Sequence, residues 1–239
     1  MMSAATGDPL LERLHRVRAE IDAATVEAGR PPGDVALLLA TKTVPAARIA
    51  LALADGFTLI GENRVQELAE KYDALLEVPH ATHFIGHLQA NKINQVIGRI
   101  GCLESLDSVE LARKLDSRLA ARGSDLDVLV QVNVSGEESK SGVQPEHAAD
   151  LLAAVTPLPR LTARGFMTIG LNSPDRGAVR AGYRLLAGLR DMAVADGVPG
   201  ADAALELSMG MSGDFADAIA EGATIVRIGS AVFGRRPAT

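Results

Sequence analysis

Tryptophan is absent from this chain, and other aromatics are scarce: five phenylalanines and two tyrosines among 239 residues. Proteins that bind single-stranded nucleic acid stack bases on aromatic platforms set in basic grooves. The basic groove is missing too, since 24 lysines and arginines face 30 aspartates and glutamates, for a net charge of −6. A general nucleic-acid surface is therefore excluded. Cysteine occurs once, as Cys102, which alone forms neither an intrachain disulfide nor a CxxC metal site. The chain reads as built for a reducing compartment. Long apolar runs are also lacking. The most apolar windows, Val35 to Ala40 and Ile49 to Ala54, fall far short of the roughly 20 residues that span a bilayer. Met1 to Pro9 shows no positively charged segment leading into an apolar stretch, as a secretion signal would. The expectation is a soluble, cytoplasmic protein.

What is present is a globular composition, with 47% apolar and 23% charged residues. The length suits one large α/β barrel or two domains of about 120 residues. The pattern opens on a helix. Asp8 can cap it, Pro9 suits the first helical position, and Leu10, Leu14, Val17 and Ile21 fall at helical spacing before Gly29 and Pro31-Pro32. Met1 to Gly7 reads as a flexible lead. Short apolar strand candidates then alternate with helical patterns, near 35–41, 58–62, 82–86, 102–106, 127–133, 163–169, 205–209 and 225–229. They recur about every 27 residues, the length of one strand–helix unit. Val128-Leu-Val-Gln-Val-Asn-Val134 is rich in apolar residues, as parallel strands covered on both faces are. Helical patterns follow Pro45, span Arg64 to Glu77 and Ser108 to Arg122, open at Pro145, span Asp175 to Asp196, and run from Ser212 to Glu221. No composition break marks a linker. Eight such units after one extra helix predict a single (β/α)8 barrel domain over residues 1–239. A doubly wound open sheet is the rival, and the count of eight favours the barrel.

Barrels of this kind place function at the C-terminal ends of their strands. That directs attention to Lys42, Glu62-Asn63, Gly86-His87, Asp107, Asn133, Thr168, Ser208 to Gly213 and Arg227 to Ser230. Lys42 is either a solvated loop lysine or an amine delivered into the barrel mouth, where desolvation favours the neutral, nucleophilic form. Ser208-Met-Gly-Met-Ser-Gly213 and Arg227-Ile-Gly-Ser230 follow the seventh and eighth strands. Such segments either turn the chain or cradle a phosphate on backbone N–H groups at helix starts. His83 and His87 are four apart, but His83 lies in a strand pattern, so a metal site is not expected. Lys140, in the polar loop Ser135-Gly-Glu-Glu-Ser-Lys-Ser-Gly142, reads as a solvated lysine on a flexible surface loop. Dinucleotide, Walker and GxSxG motifs are absent.

Seven segments recur in a known order: Ala40-Thr-Lys-Thr-Val-Pro45; Gly61-Glu-Asn63 with Gln66-Glu67; His83-Phe-Ile-Gly86 with Leu88-Gln89 and Asn91-Lys92; Ser139-Lys-Ser-Gly142; Gly165-Phe-Met167; Leu207-Ser-Met-Gly-Met-Ser212; and Val226-Arg-Ile-Gly-Ser230. The chain from about Val35 to Gly234 resembles the YggS/PROSC family of pyridoxal phosphate homeostasis proteins, whose fold is similar to the N-terminal barrel of alanine racemase. The resemblance implies pyridoxal 5′-phosphate (PLP) as cofactor, held as a Schiff base on Lys42. It implies Arg227 facing the pyridine nitrogen and Ser208, Gly229 and Ser230 holding the phosphate, with Asn63 and His83 in the cofactor pocket. Two positions depart from related patterns. Arg64 stands where many members carry an aromatic, and Val44 where some have a second lysine.

The function this implies is PLP homeostasis, as carrier, buffer or regulator, with PLP-requiring apo-enzymes as the partner class. A cation beside the pyridine nitrogen opposes its protonation and weakens the ring as an electron sink. The alternative is a PLP-dependent amino-acid racemase. On the alanine racemase plan that enzyme needs a second base, a tyrosine from an additional domain, which a chain ending at Thr239 is expected to lack. Tyr72 and Tyr183 both lie in helical patterns. A lysine aldolase with Glu62 as acid–base group also fits the residues alone. No exposed apolar stripe is evident, so a monomer is expected.

Overall fold

The computed structural model describes residues 9–137 and 139–234. Eight parallel strands close into a barrel in chain order: β1 (Ala36–Ala40), β2 (Leu59–Glu62), β3 (Ala81–Phe84), β4 (Cys102–Leu106), β5 (Leu126–Gln131), β6 (Leu161–Met167), β7 (Glu206–Ser208) and β8 (Ile225–Ile228). The closing pair is β1 with β8, in the register Leu38 to Arg227 and Leu39 to Ile228. The barrel, not the open sheet, is the fold. All eight strands fall where apolar periodicity places them.

The helices are α1 (Pro9–Glu27), α2 (Ala46–Ala54), α3 (Val65–Leu75), α4 (Ile93–Val96), α5 (Val109–Arg122), α6 (Ala148–Val155), α7 (Arg176–Ala195), α8 (Phe215–Ala220) and α9 (Ser230–Phe233). The proposed Asp8 cap and the flexible lead Met1 to Gly7 lie outside the described residues. Two short helices escape sequence periodicity. Each of α4 and α9 has four residues, about one turn, too short to show a 3.6-residue repeat. The helix expected from Ser212 begins only at Phe215. Asp214 causes the delay: its carboxylate accepts the Met211 N–H at 2.6 Å, and a turn closes from Asp214 N to Met211 O.

Strand alternation divides the core into two layers. Outward residues such as Leu39, Ile60, Val130, Phe166, Leu207 and Ile228 pack under the helices. Inward residues fill the barrel, with Leu38, Ile85 and Ile225 in one cluster and Cys102, Leu129 and Met167 in another. Each fully buried aliphatic side chain contributes roughly 1.5–3 kcal/mol. Gly61 faces the same interior, where a larger residue would require the Leu38 and Ile85 side chains to shift. A Cβ there would stand 2.4 Å from Leu38 Cδ2 and 3.0 Å from Ile85 Cδ1. Helix α1 buries Leu10, Leu14, Val17 and Ile21 and packs on α2, α8 and α9, across the seam where β8 meets β1. Arg13 Nε donates to Val232 O at 2.6 Å and pins α9 in place. No helix among the described residues is long and apolar enough to cross a membrane.

Candidate functional site

The C-terminal ends of β1, β7 and β8 surround a cavity of about 710 Å³, whose lining includes Lys42, Arg48, Ser212, Gly213, Arg227, Gly229 and Ser230. Alternation explains why Lys42 is there. Leu38 and Ala40 belong to the barrel interior and Leu39 to the outer layer, so an even-numbered residue at this strand end turns inward. Among the described residues the Lys42 side chain has no hydrogen-bond or ion-pair partner. That leaves a long amine at the wall of a cavity with its nitrogen uncommitted.

Arg227 reaches the same cavity from β8 and is buried. Its Nη1 donates to Ser208 Oγ at 2.7 Å and its Nη2 to Thr168 O at 2.6 Å. Ser208 Oγ in turn donates to Glu104 Oε2 at 2.6 Å, and Glu104 Oε1 lies 2.7 Å from His83 Nδ1. A continuous polar chain thus crosses the barrel interior from His83 on β3 through Glu104 and Ser208 to Arg227. Burial disfavours the charged guanidinium, and the Glu104 carboxylate opposes that effect. A buried charge needs such a counterion. Glu104 is itself fully buried. Its only sequence signal is a carboxylate inside the buried strand Cys102-Leu-Glu-Ser-Leu106.

Small residues shape the other wall. Gly210 adopts φ +91° where β7 ends, and a Cβ there would come within 2.6 Å of Ala218 Cβ. This turn lets the chain pass close over α8 and present Ser212 and Gly213 to the cavity. A Cβ at Gly213 would meet nothing within 4 Å, so the space beside it is open. Ser212 Oγ accepts the Ala231 N–H at 3.3 Å and links the β7 loop to the first turn of α9.

The structure therefore brings Lys42, Arg227, Gly229 and Ser230 around one cavity and sets three other expected residues apart. Ser208 lies beneath the lining, with its proton donated to Glu104 and its oxygen accepting from Arg227. His83 sits deeper in the barrel against Glu104. Asn63 lines a separate cavity of about 220 Å³ together with Arg64, His87 and Lys92. Of the remaining strand-end residues, Asp107 pairs with His87 at 3.2 Å. Glu62 is turned outward, where its carboxylate accepts from Lys71 Nζ at 2.8 Å. It does not line the Lys42 cavity, so the aldolase reading loses its acid–base group. The described residues hold no cluster of metal-ligating side chains. Tyr72 donates to Gly98 O at 3.2 Å. The buried Tyr183 donates to Asp214 Oδ2 at 2.9 Å, and burial together with that carboxylate pushes its phenol well above its ordinary value. Neither tyrosine lines the Lys42 cavity.

Residues 14–237 match the family described as alanine racemase, N-terminal domain. The pyridoxal phosphate homeostasis protein of Aquifex aeolicus (strain VF5) is 43% identical over 94% of this chain and 97% of its own length. The chain belongs to the pyridoxal phosphate homeostasis protein family. The family's Escherichia coli K12 member is 40% identical over 95% of this chain and 97% of its own. PipY of Synechococcus elongatus PCC7942, solved with PLP bound, superposes with a TM-score of 0.79 at 30% identity, covering 94% of this chain and all of PipY. An alanine racemase from Clostridium difficile 630 shares the fold, with a TM-score of 0.71 at 15% identity. This member of the homeostasis family places two of its seven recurring segments, those carrying Lys42 and Arg227, on the two neighbouring strands, β1 and β8, that close the barrel.

Proposed function

We propose that this protein binds PLP in the Lys42 cavity, with Lys42 Nζ as the point of covalent attachment, and that it serves PLP homeostasis as a carrier or buffer. The observation that supports this most is an uncommitted amine and a buried guanidinium sharing one cavity with small-residue loops. The donor set suits the group. Arg227 would hold the ring edge, and Ser212, Gly213, Gly229 and Ser230 would hold the phosphate through hydroxyl and backbone N–H groups. Ser208, Asn63 and His83 would act from behind or beside this set. When bound, PLP supplies an electrophilic aldehyde carbon and an electron-withdrawing ring. Arg227 keeps its positive charge through the chain to Glu104, and that charge opposes protonation of a ring nitrogen set against it. A base on the face opposite Lys42 is what a racemase requires, and neither tyrosine is placed to act as one.

The reading includes a single barrel domain spanning the chain, a monomeric state, a cytoplasmic setting and release of PLP to PLP-requiring apo-enzymes. What supports the monomer is the scatter of exposed large apolar side chains over separate elements, among them Val26 on α1, Leu51 on α2 and Met192 on α7. The decisive experiment is an absorption spectrum of the protein with PLP, before and after borohydride, with peptide mapping of the modified residue. The proposal expects a visible band that borohydride abolishes and a pyridoxyl group on Lys42. Modification of Lys92 or Lys140 instead would overturn it. Rapid, Lys42-dependent inversion of an amino acid would promote the racemase.

A further inference from the structure

Thr43, the residue after Lys42, has φ +64° and is the one non-glycine residue at positive φ among the described residues. For a β-branched side chain this backbone region is strained. Such a conformation persists only where its surroundings over-determine it. The surroundings are ionic and come from α3. The Thr43 N–H donates to Glu67 Oε2 at 2.6 Å, and the same oxygen accepts from Lys71 Nζ at 3.3 Å. Lys71 Nζ also donates to Thr41 O at 2.8 Å and to Glu62 Oε1 at 2.8 Å. Thr41 Oγ1 donates to that Glu62 oxygen as well, and Val44 N closes the turn onto Thr41 O at 2.9 Å.

The residues on both sides of Lys42 are thus tied to one cluster, while Lys42 itself has no partner among the described residues. The cluster is well shielded, with the Lys71 side chain 12% exposed and that of Glu62 2%. Glu62 Oε2 is buried with no hydrogen-bond partner among the described residues, and burial raises the Glu62 carboxyl above its ordinary range against the pull of Lys71 and Thr41, so Lys71 meets this group through Oε1 alone. Burial pushes the Glu67 carboxyl up, but the Thr43 N–H and Lys71 outweigh it and hold the group below its ordinary range. Glu67 is therefore an ionised acceptor at neutral pH, the stronger kind of hydrogen-bond partner. None of Glu62, Glu67 and Lys71 lines the Lys42 cavity.

We infer that Glu67 is a positioning residue for Lys42: its carboxylate holds the strained Thr43 peptide and so aims the Lys42 amine into the cavity. The inference rests on Lys42 as the attachment point proposed above. Glycine adopts positive φ without cost, so Thr43→Gly should make the clamp dispensable. Attachment is followed by mixing the protein with PLP, quenching with borohydride at intervals and mapping the pyridoxyl group at Lys42. Reductive methylation of the same lysine with formaldehyde reports its accessibility to a reagent too small to need aiming.

Glu67→Ala should slow PLP attachment at Lys42 by about tenfold, leave its methylation within about twofold, and speed hydrogen exchange of the Thr43 amide. The Glu67→Ala, Thr43→Gly double variant should recover the wild-type attachment rate to within about threefold. Glu67→Gln keeps a neutral acceptor and should slow attachment by only two- to threefold, roughly the gap between charged and neutral acceptors. If Glu67→Ala does not fold, Glu67→Gln carries the test, and its loss must vanish in the Thr43→Gly background. An unchanged rate in Glu67→Ala and Glu67→Gln would overturn the inference, as would failure of Thr43→Gly to restore it. A parallel fall in methylation would overturn it too, since the effect would then lie in the amine's ionisation. Failure of the wild type to fix PLP on Lys42 would instead sink the functional reading.

Discussion

Two lysines stand near the mouth of this barrel in opposite surroundings. Lys42 leaves β1 into an open cavity with no partner for its nitrogen among the described residues. Lys140 lies in the loop after β5, where its Nζ donates to Glu137 Oε1 at 2.6 Å and to Gly170 O at 2.8 Å. The described residues around Lys140 are tied down by hydrogen bonds, contrary to what their polarity suggests. Val143 returns to bridge Val132, Gln131 Nε2 donates to Ser141 O, and Asn133 Nδ2 donates to the carbonyls of Glu137 and Lys140. The side chain of Lys140 is left 18% exposed. One amine is thus left unengaged among the described residues, and the other is a donor that closes a loop. Proximity to the mouth does not distinguish them; the number of acceptors within reach does.

The comparison breaks most sharply at Lys42. Lys42→Ala should abolish the visible band of the PLP-loaded protein and all borohydride-stable attachment, while Lys140→Ala should retain both. The measurement is the spectrum with peptide mapping, and equal losses would erase the distinction between the two lysines.

Arg227→Met should have the next largest effect. It removes the buried guanidinium that reaches Glu104 through Ser208 and leaves His83 as the remaining partner of that carboxylate, so the expected loss of stability lies below the roughly 3–5 kcal/mol of a directly broken buried pair, at about 2–3 kcal/mol. Denaturant unfolding measures it. A loss below about 1 kcal/mol would mean that water or another cation compensates.

Ser208→Ala sharpens the account of the cavity floor. It removes one bond to a carboxylate and one from a guanidinium, and charged hydrogen bonds contribute about 1.5–3 kcal/mol each. The sequence resemblance makes Ser208 a phosphate ligand, whose loss would weaken PLP and spare pyridoxal. The structure instead commits its proton to Glu104, so PLP and pyridoxal should weaken together. Titration of the variant with both ligands decides between the two accounts.

The smallest effect belongs to Glu137→Gln, which removes the charged partner of Lys140. The expected loss of stability is about 0.5–1 kcal/mol. Acylation of Lys140 should rise while attachment of PLP to Lys42 stays constant. A fall at Lys42 would show that the two sides of the mouth are coupled.

Much of this protein is legible in its residue order. The eight strands and their closure follow from apolar segments at regular spacing, because alternation and helical repeat are properties of near neighbours along the chain. The same alternation turns Lys42 and Arg227 inward, and glycine and serine after β7 and β8 mark where backbone can approach a ligand. Tertiary structure alone decided the rest. Glu104 and Ser208 are 104 residues apart, and no local pattern pairs a strand carboxylate with a hydroxyl across a barrel. Thr43 has no propensity for positive φ; the Glu67 carboxylate, from a helix beyond the next strand, supplies the reason it stays there. Asn63, just past the end of β2, faces one cavity and Ser208, at the end of β7, lies beneath another, because depth within a barrel depends on its closure and on the loops folded over it. Local periodicity sets which way a side chain points, and only the closed barrel sets what it meets.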